Sequence, residues 1–198
     1  MSQSPLAQPL KLPCGAILPN RIAKAAMTEG LADDQLHATN RHETLYRRWS
    51  DGGAGLLITG NVMIDHRVLE RPGNVAIDPA PDLTKVKGEP EGMAQLRAWA
   101  KAGTQNGNHL WMQISHAGRQ SPRYVTSRPM GPSAVQLSLI GQLCPPTGAH
   151  GAGDPGLYPA LCQRCPDCQR GWFHWRSGAW GSWLSVVFVS VSGHQPAD

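Results

Sequence analysis

The chain reads as an α/β protein, and three observations predict that class. Strand-like and helix-like stretches alternate through the first 142 residues. One strand-like run, Gly55-Leu56-Leu57-Ile58-Thr59-Gly60, is continuously apolar, the pattern of a strand covered on both faces in a parallel sheet. The order strand, helix, strand, helix, strand is that of βαβ units.

The first strand is expected over Arg21 to Met27, where apolar residues alternate between the turn residues Pro19-Asn20 and Thr28-Glu29-Gly30. A helix follows. Asn40-Arg41-His42-Glu43 has the form of a capping box, and Leu45, Tyr46 and Trp49 recur at helical spacing before Gly52-Gly53 stops the run. The run from Gly55 to Gly60 is the second strand. A second helix is expected from about Glu91 to Gly103, with Met93, Leu96, Trp99 and Ala100 on one side, and a third strand through Leu110-Trp111-Met112-Gln113-Ile114. This order suits a barrel and an open doubly wound sheet equally, and in both the functional groups gather at the C-terminal ends of the strands.

Composition excludes several classes and divides the chain. The formal charge of +4 arises before Leu143, where 15 Lys and Arg face 11 Asp and Glu. No basic run forms a nucleic-acid stripe, and no apolar stretch of about 18 residues suggests a membrane span. The N-terminus lacks an export signal, so a cytoplasmic protein without disulfides is expected. From Leu143 onward Lys, Glu, Ile, Met and Asn vanish, while the last 56 residues hold four of the five cysteines and four of the seven tryptophans. Two domains rarely differ that way.

Each predicted strand delivers polar or small groups at its exit: Ala25-Ala26-Met27-Thr28, then Thr59-Gly60-Asn61, then Gln113 with Ser115-His116-Ala117-Gly118-Arg119. Small residues let a planar ligand approach the backbone, a hydroxyl can donate to a carbonyl, and an amide that donates and accepts at once suits an imide edge. A flavin ring fits these residues, although Gln113 and His116 serve as well as hydrogen-bonded rim groups and Thr28 as a turn residue. There is no GxGxxG or Walker loop.

Three motifs, Leu18-Pro19-Asn20-Arg21-Ile22-Ala23-Lys24-Ala25-Ala26-Met27-Thr28, Gly52-Gly53-Ala54-Gly55-Leu56-Leu57-Ile58-Thr59-Gly60 and Gln113-Ile114-Ser115-His116-Ala117-Gly118-Arg119, stand in the order and at the spacing of one family. From about Pro9 to Gln142 the chain resembles the N-terminal third of the old yellow enzymes, FMN-dependent NAD(P)H:flavin oxidoreductases and ene-reductases. The resemblance implies a TIM (β/α)8 barrel, incomplete here and represented by roughly its first three βα units. It further implies that Ala25, Ala26 and Met27 pack beside the isoalloxazine, that Thr28 hydrogen-bonds near its C4 carbonyl and N5, that Gly60 gives backbone contact, and that Gln113 pairs with the pyrimidine edge. Many members have Pro or Ser where Ala25 and Ala26 stand. In the family a nicotinamide cofactor reduces FMN, which passes hydride to an activated alkene whose carbonyl is held by two side chains, His with His or His with Asn. That pair belongs to a fourth-strand motif close to HxAHGYL, which is absent from the chain.

The tail becomes intelligible when its codons are read one nucleotide later. Tryptophan has the single codon TGG, so each Trp then becomes glycine, and a Cys codon followed by C becomes Ala or Val. With a free choice among synonymous codons, Leu143 to Asp154 can conceal the family's continuation, Ala160 to Cys168 a barrel helix, and Gly171 to Val187 the fourth strand with both histidines. Phe188 does not fit. Glycine is forced at Trp172, Trp175, Trp180 and Trp183 and falls in register. Residues 1–142 are therefore expected to be the barrel's N-terminal part and 143–198 an out-of-frame, non-native tail, leaving the chain inactive. The alternative is a non-enzymatic metal-binding or interaction module in which Cys162, Cys165 and Cys168, with His150 or His174, bind zinc or an iron-sulfur cluster; against it, the spacing lacks a paired second knuckle. The substrate, the choice between NADH and NADPH and the oligomeric state are not legible. Sequencing the DNA across codon 142 and several hundred bases beyond is expected to show the original frame continuing one nucleotide out of step; codons that forbid the concealed text refute the shift.

Overall fold

A computed structural model describes residues 4–13, 15–77, 92–131, 134–137, 141–148 and 187–190. After a 3-10 turn at Pro5–Ala7, β1 (Leu10–Lys11) and β2 (Ile17–Leu18) form an antiparallel hairpin that the sequence reading did not anticipate. There follow β3 (Ala23–Lys24), α1 (Asn40–Asp51), β4 (Leu56–Met63), β5 (Val75–Ala76), α2 (Met93–Gly103), β6 (His109–Ser115), β7 (Met130–Gly131), β8 (Thr147–Gly148) and β9 (Val187–Ser190). The main sheet runs β3-β4-β6-β9, with β5 added to the end of β4. β3 and β6 both lie parallel to β4, with Lys24 opposite Leu57 and Leu57 opposite Leu110, as expected of βαβ units.

Both helices cover one face of this sheet. Tyr46 from α1, Trp99 from α2, Leu57 and Val62 from β4, Val75 from β5 and Leu110 from β6 form one buried cluster, flanked by Leu45, Trp49, Leu96 and Met112. Leu110 and Met112 therefore face the helices, and the alternate positions Trp111 and Gln113 face the other side. Tyr46 meets Trp49 and Trp99 edge-on, at centroid distances of 4.8 and 5.1 Å. The end of α2 comes so close to the sheet that a Cβ on Gly103 would lie 2.8 Å from a methyl carbon of Leu110. A buried bond from Ser50 to Asn108 (2.5 Å), and another from Asn108 to the Gly103 carbonyl (2.7 Å), tie the ends of both helices to the turn before β6.

Three boundaries differ from expectation. β3 is regular only over Ala23–Lys24, because β4 carries a bulge between Ile58 and Asn61 and the Gly60 amide there turns to side chains, leaving Ala25 to Thr28 without a ladder. β4 in turn extends to Met63. α1 is capped by Thr39 and not Asn40: the Thr39 amide donates to His42 Nδ1 (3.1 Å), the Thr39 hydroxyl donates to the Leu31 carbonyl (2.9 Å), and Glu43 is left in the first turn.

β9 pairs antiparallel with β6, placing Val187 opposite Ile114 and Ser190 opposite Trp111. The compositional break is not a break in packing at its first residue, since Leu143 bridges Pro122 and is buried, and the Thr147 amide donates to the Pro129 carbonyl (2.9 Å). Among the described residues no helix is long and apolar enough to cross a membrane, and no three His, Cys, Asp or Glu side chains gather as a metal site. Cys162, Cys165, Cys168, His150, His174 and the tail tryptophans lie outside the described residues.

His42 gives this fold a measurable pH dependence. It is 1% exposed, and burial, aided by the Arg41 cation, pushes its pKa down to about 4. The unfolded chain takes up that proton near the ordinary histidine value of 6.5, so the stabilisation is complete above pH 6.5 and is lost as pH falls toward about 4. Urea denaturation across this window should show the native chain losing on the order of 2 to 3 kcal/mol more than His42→Gln; equal losses in both chains contradict the assignment.

Candidate functional site

The bulge in β4 builds the site. By inserting a residue it brings Asn61 opposite Gln113, and the two side chains meet directly: Gln113 Nε2 donates to Asn61 Oδ1 at 2.5 Å. Asn61 Nδ2 then donates to Glu70 Oε2 at 2.7 Å, and the Thr28 hydroxyl donates to the same oxygen at 2.7 Å. The exits of β3, β4 and β6 are thus joined by a continuous chain of hydrogen bonds. Thr59, buried beside it, accepts from the Gln113 amide (2.9 Å) and donates to the Gly60 carbonyl (2.8 Å), which holds the bulge in shape.

Behind this surface lies a second polar group. The Tyr46 hydroxyl donates to Glu29 Oε1, and the Gly60 amide donates to the Tyr46 oxygen at 3.2 Å. Lys24 Nζ donates to the Ile58 carbonyl (2.8 Å), stands 3.8 Å from Glu29 and sits 4.1 Å from the centroid of the Trp49 ring. Burial lowers the Lys24 pKa, opposed by the Glu29 charge; burial and then the Glu29 charge push the Tyr46 hydroxyl upward. Gly60 is required here, because a Cβ would collide with the Met27 carbonyl and the Glu29 carboxylate. Its amide is engaged by Tyr46 and Glu29, so the contact that Gly60 offers a ligand is not through its N–H.

The residues singled out from sequence are distributed as follows. Ala25 and Met27 are exposed, Met27 at 53%, while Ala26, Thr28 and Gln113 are half-buried around the same strand exits. Gln113 Oε1 accepts no hydrogen bond among the described residues. His116 is buried away from the chain of bonds; its Nδ1 accepts from the Gly118 amide (3.1 Å), and burial lowers its pKa against the pull of Asp65. Arg119 Nη1 donates to the Val135 carbonyl at 2.9 Å.

Sequence reasoning missed Glu70. Its only signal is an acidic residue following the apolar pair Val68-Leu69 and preceding the turn Arg71-Pro72-Gly73, which marks a loop and not a partner for Thr28. Burial raises the Glu70 pKa, but the hydrogen bonds from Thr28 and Asn61 and the charge of Arg71, 3.2 Å away, outweigh it and hold the carboxyl below its usual range. The group is charged at neutral pH.

No family model matches the chain. Individual relatives do. The NADH-dependent flavin oxidoreductase of Hypocrea jecorina (strain QM6a) is 34% identical over 151 residues, covering 73% of this chain and 36% of the relative. That of Neonectria sp. (strain DH2) is also 34% identical, over 67% of this chain and 17% of the relative. The chain therefore spans about a third or less of the curated relatives it matches. Among solved structures, the old yellow enzyme homologue from Zymomonas mobilis superposes with a TM-score of 0.61 at 22% identity, over 81% of this chain and 42% of that one. Morphinone reductase in complex with tetrahydroNAD gives 0.61 at 21% identity, over 81% and 45%. Motifs, parallel sheet and relatives agree over some 70% of the chain, and across that stretch it belongs to the NADH-dependent flavin oxidoreductases of the old yellow enzyme family.

Proposed function

We propose that residues 1–142 are the flavin-facing part of an FMN-dependent oxidoreductase that takes reducing equivalents from NAD(P)H and acts on a small-molecule electron acceptor, an activated alkene or similar compound. The observation that carries this reading is the convergence of Thr28, Asn61 and Gln113 on one hydrogen-bonded surface at the exits of three parallel strands. The residues present fit an isoalloxazine. Ala25 is small and exposed, the Gln113 carbonyl oxygen has no partner in the described protein, and both Gln113 and Thr28 are half-buried, open to a ligand on one side.

In this reading Ala25, Ala26 and Met27 form the surface beside the ring, and Thr28 and Gln113 hydrogen-bond its C4/N5 and pyrimidine edges. Gly60 acts by letting the Met27-Thr28 segment lie against β4. The bound flavin supplies the hydride chemistry, accepting from the nicotinamide and donating to the acceptor. Holding the acceptor's carbonyl and stabilising the charge that develops there is the work of the family's histidine pair, which in this reading lies out of frame beneath residues 171–187; no HxAHGYL motif is written in the chain.

Residues 143–198 are accordingly an out-of-frame tail on an incomplete barrel. The direction of β9 supports this, because a barrel strand following a βα unit runs parallel to its predecessor and β9 runs antiparallel to β6. The purified 198-residue chain is expected to be colourless and inactive. Deleting one nucleotide at codon 142 is expected to yield a yellow protein that retains FMN. Near-stoichiometric FMN in the unaltered chain overturns the expectation that it holds no flavin, and a colourless product from the restored frame overturns the flavin reading.

A further inference from the structure

We propose that Asn106 is a site of spontaneous covalent modification, deamidation through a cyclic imide, and that the Asp51 carboxylate at the end of α1 holds it closed in the folded chain. Asn106-Gly107 is the one Asn-Gly step in the sequence. Glycine has no Cβ to shield its backbone nitrogen or restrict its dihedrals, so at this step an asparagine side chain and the following nitrogen meet most freely. Both residues are exposed in the turn between α2 and β6, at the end of β6 opposite to the strand exits, and a Cβ on Gly107 would meet nothing within 4 Å.

The reaction needs only the chain and water. The Gly107 nitrogen gives its proton to solvent and bonds to Asn106 Cγ, while the Cγ–Nδ2 bond breaks and Nδ2 takes a proton and leaves as ammonia. Water then opens the imide ring at Cγ to give aspartate, or at the main-chain carbonyl to give isoaspartate. No group is oxidised or reduced.

The fold engages each reacting group elsewhere. Asn106 Nδ2, the leaving group, donates to Asp51 Oδ1, the oxygen that also accepts from Gln105 Nε2 at 2.7 Å. The attacking nitrogen is occupied too, because the Gly107 amide donates to the Thr104 carbonyl at 3.1 Å. The Asn106 amide donates to Oγ of the fully buried Ser50 at 3.2 Å, which ties the turn to the interior. Ring closure requires the side chain to leave Asp51 and the Gly107 N–H to leave Thr104, so the reaction passes through local opening of the turn.

The same contacts make the product costly. Where a neutral NH2 faced Asp51, a second carboxylate now stands, and like charges meet at the junction of α1 with the turn before β6. Isoaspartate also lengthens the main chain by one carbon just ahead of that strand.

Peptide mass spectrometry of the full chain tests the site, after incubation in mildly alkaline buffer with and without guanidinium chloride, by following the mass gain localised to Asn106. The folded chain is expected to react about tenfold more slowly than the unfolded chain. Asp51→Ala removes the acceptor and should speed the folded reaction by on the order of threefold, leaving the unfolded rate unchanged. Gln105→Ala loosens the same carboxylate but keeps the bond to Asn106, and should leave the reaction slow. Equal rates in the folded and unfolded chain, a D51A rate no faster than that of the unaltered chain, or a Q105A rate as fast as that of D51A overturns the proposal. Should D51A fail to fold, the ratio of folded to unfolded rates in the unaltered chain and in Q105A decides. Asn106→Asp reads the consequence of the reaction: it is expected to unfold at a lower denaturant concentration, and an unchanged midpoint overturns that consequence.

Discussion

The Glu29 carboxylate is where the structure is tied together. It accepts from Tyr46 of α1, receives the Gly60 amide of the β4 bulge, and lies within ion-pair range of Lys24 on β3. One side chain thus fixes a helix and two strands relative to each other. Both charged partners are nearly buried, at 8% and 11% side-chain exposure. Such a pair is tolerated only because the remaining valences are met: Lys24 reaches the Ile58 carbonyl and the Trp49 ring, and Glu29 has the tyrosine hydroxyl. Take away one partner and an uncompensated charge is left among aromatic rings, a situation that costs about 3 to 5 kcal/mol in buried pairs.

This arrangement separates support from presentation. Glu29, Tyr46 and Lys24 work on the helix side, in the same layer as the Leu57, Trp99 and Leu110 cluster. Glu70, Asn61 and Gln113 work on the side away from it. The bulge at Thr59-Gly60 is the hinge between the layers, since its extra residue turns the Gly60 amide inward to Tyr46 and carries Asn61 out beside Gln113. A regular β4 would send Asn61 to the opposite face.

Periodicity made β4, β6, both helices and the parallel order legible, because each of these elements buries one face or a continuous run against the others; the short strands β1, β2, β5, β7, β8 and β9 carry too few residues to show a period. The three exit motifs marked the candidate surface for the same reason: their polar residues interrupt strands that are otherwise apolar. What stayed hidden depends on contacts between segments distant in sequence. Glu70 meets Thr28 across 42 residues, and nothing local to Leu69-Glu70-Arg71 signals that meeting. The cap of α1 moved from Asn40 to Thr39 because Thr39 reaches the Leu31 carbonyl, a bond made possible by the loop before the helix. The tail is a different case. There the expectation rests on codons and not on hydrophobic periodicity, because Trp has one codon and Cys two.

The ladder between β4 and β6 has a consequence for how the chain is made. Leu57 and Leu110 are neighbours in space, yet they emerge far apart during synthesis. Until β6 appears, β4 has no partner on that side, and Tyr46 and Trp99 have only part of the surface they bury. Closing so long a loop costs entropy before any pairing offsets it. The sheet and its two helices therefore gain their stability late and together, and a chain stopped between α2 and β6 would be an unfolded polypeptide and not a smaller version of this layer.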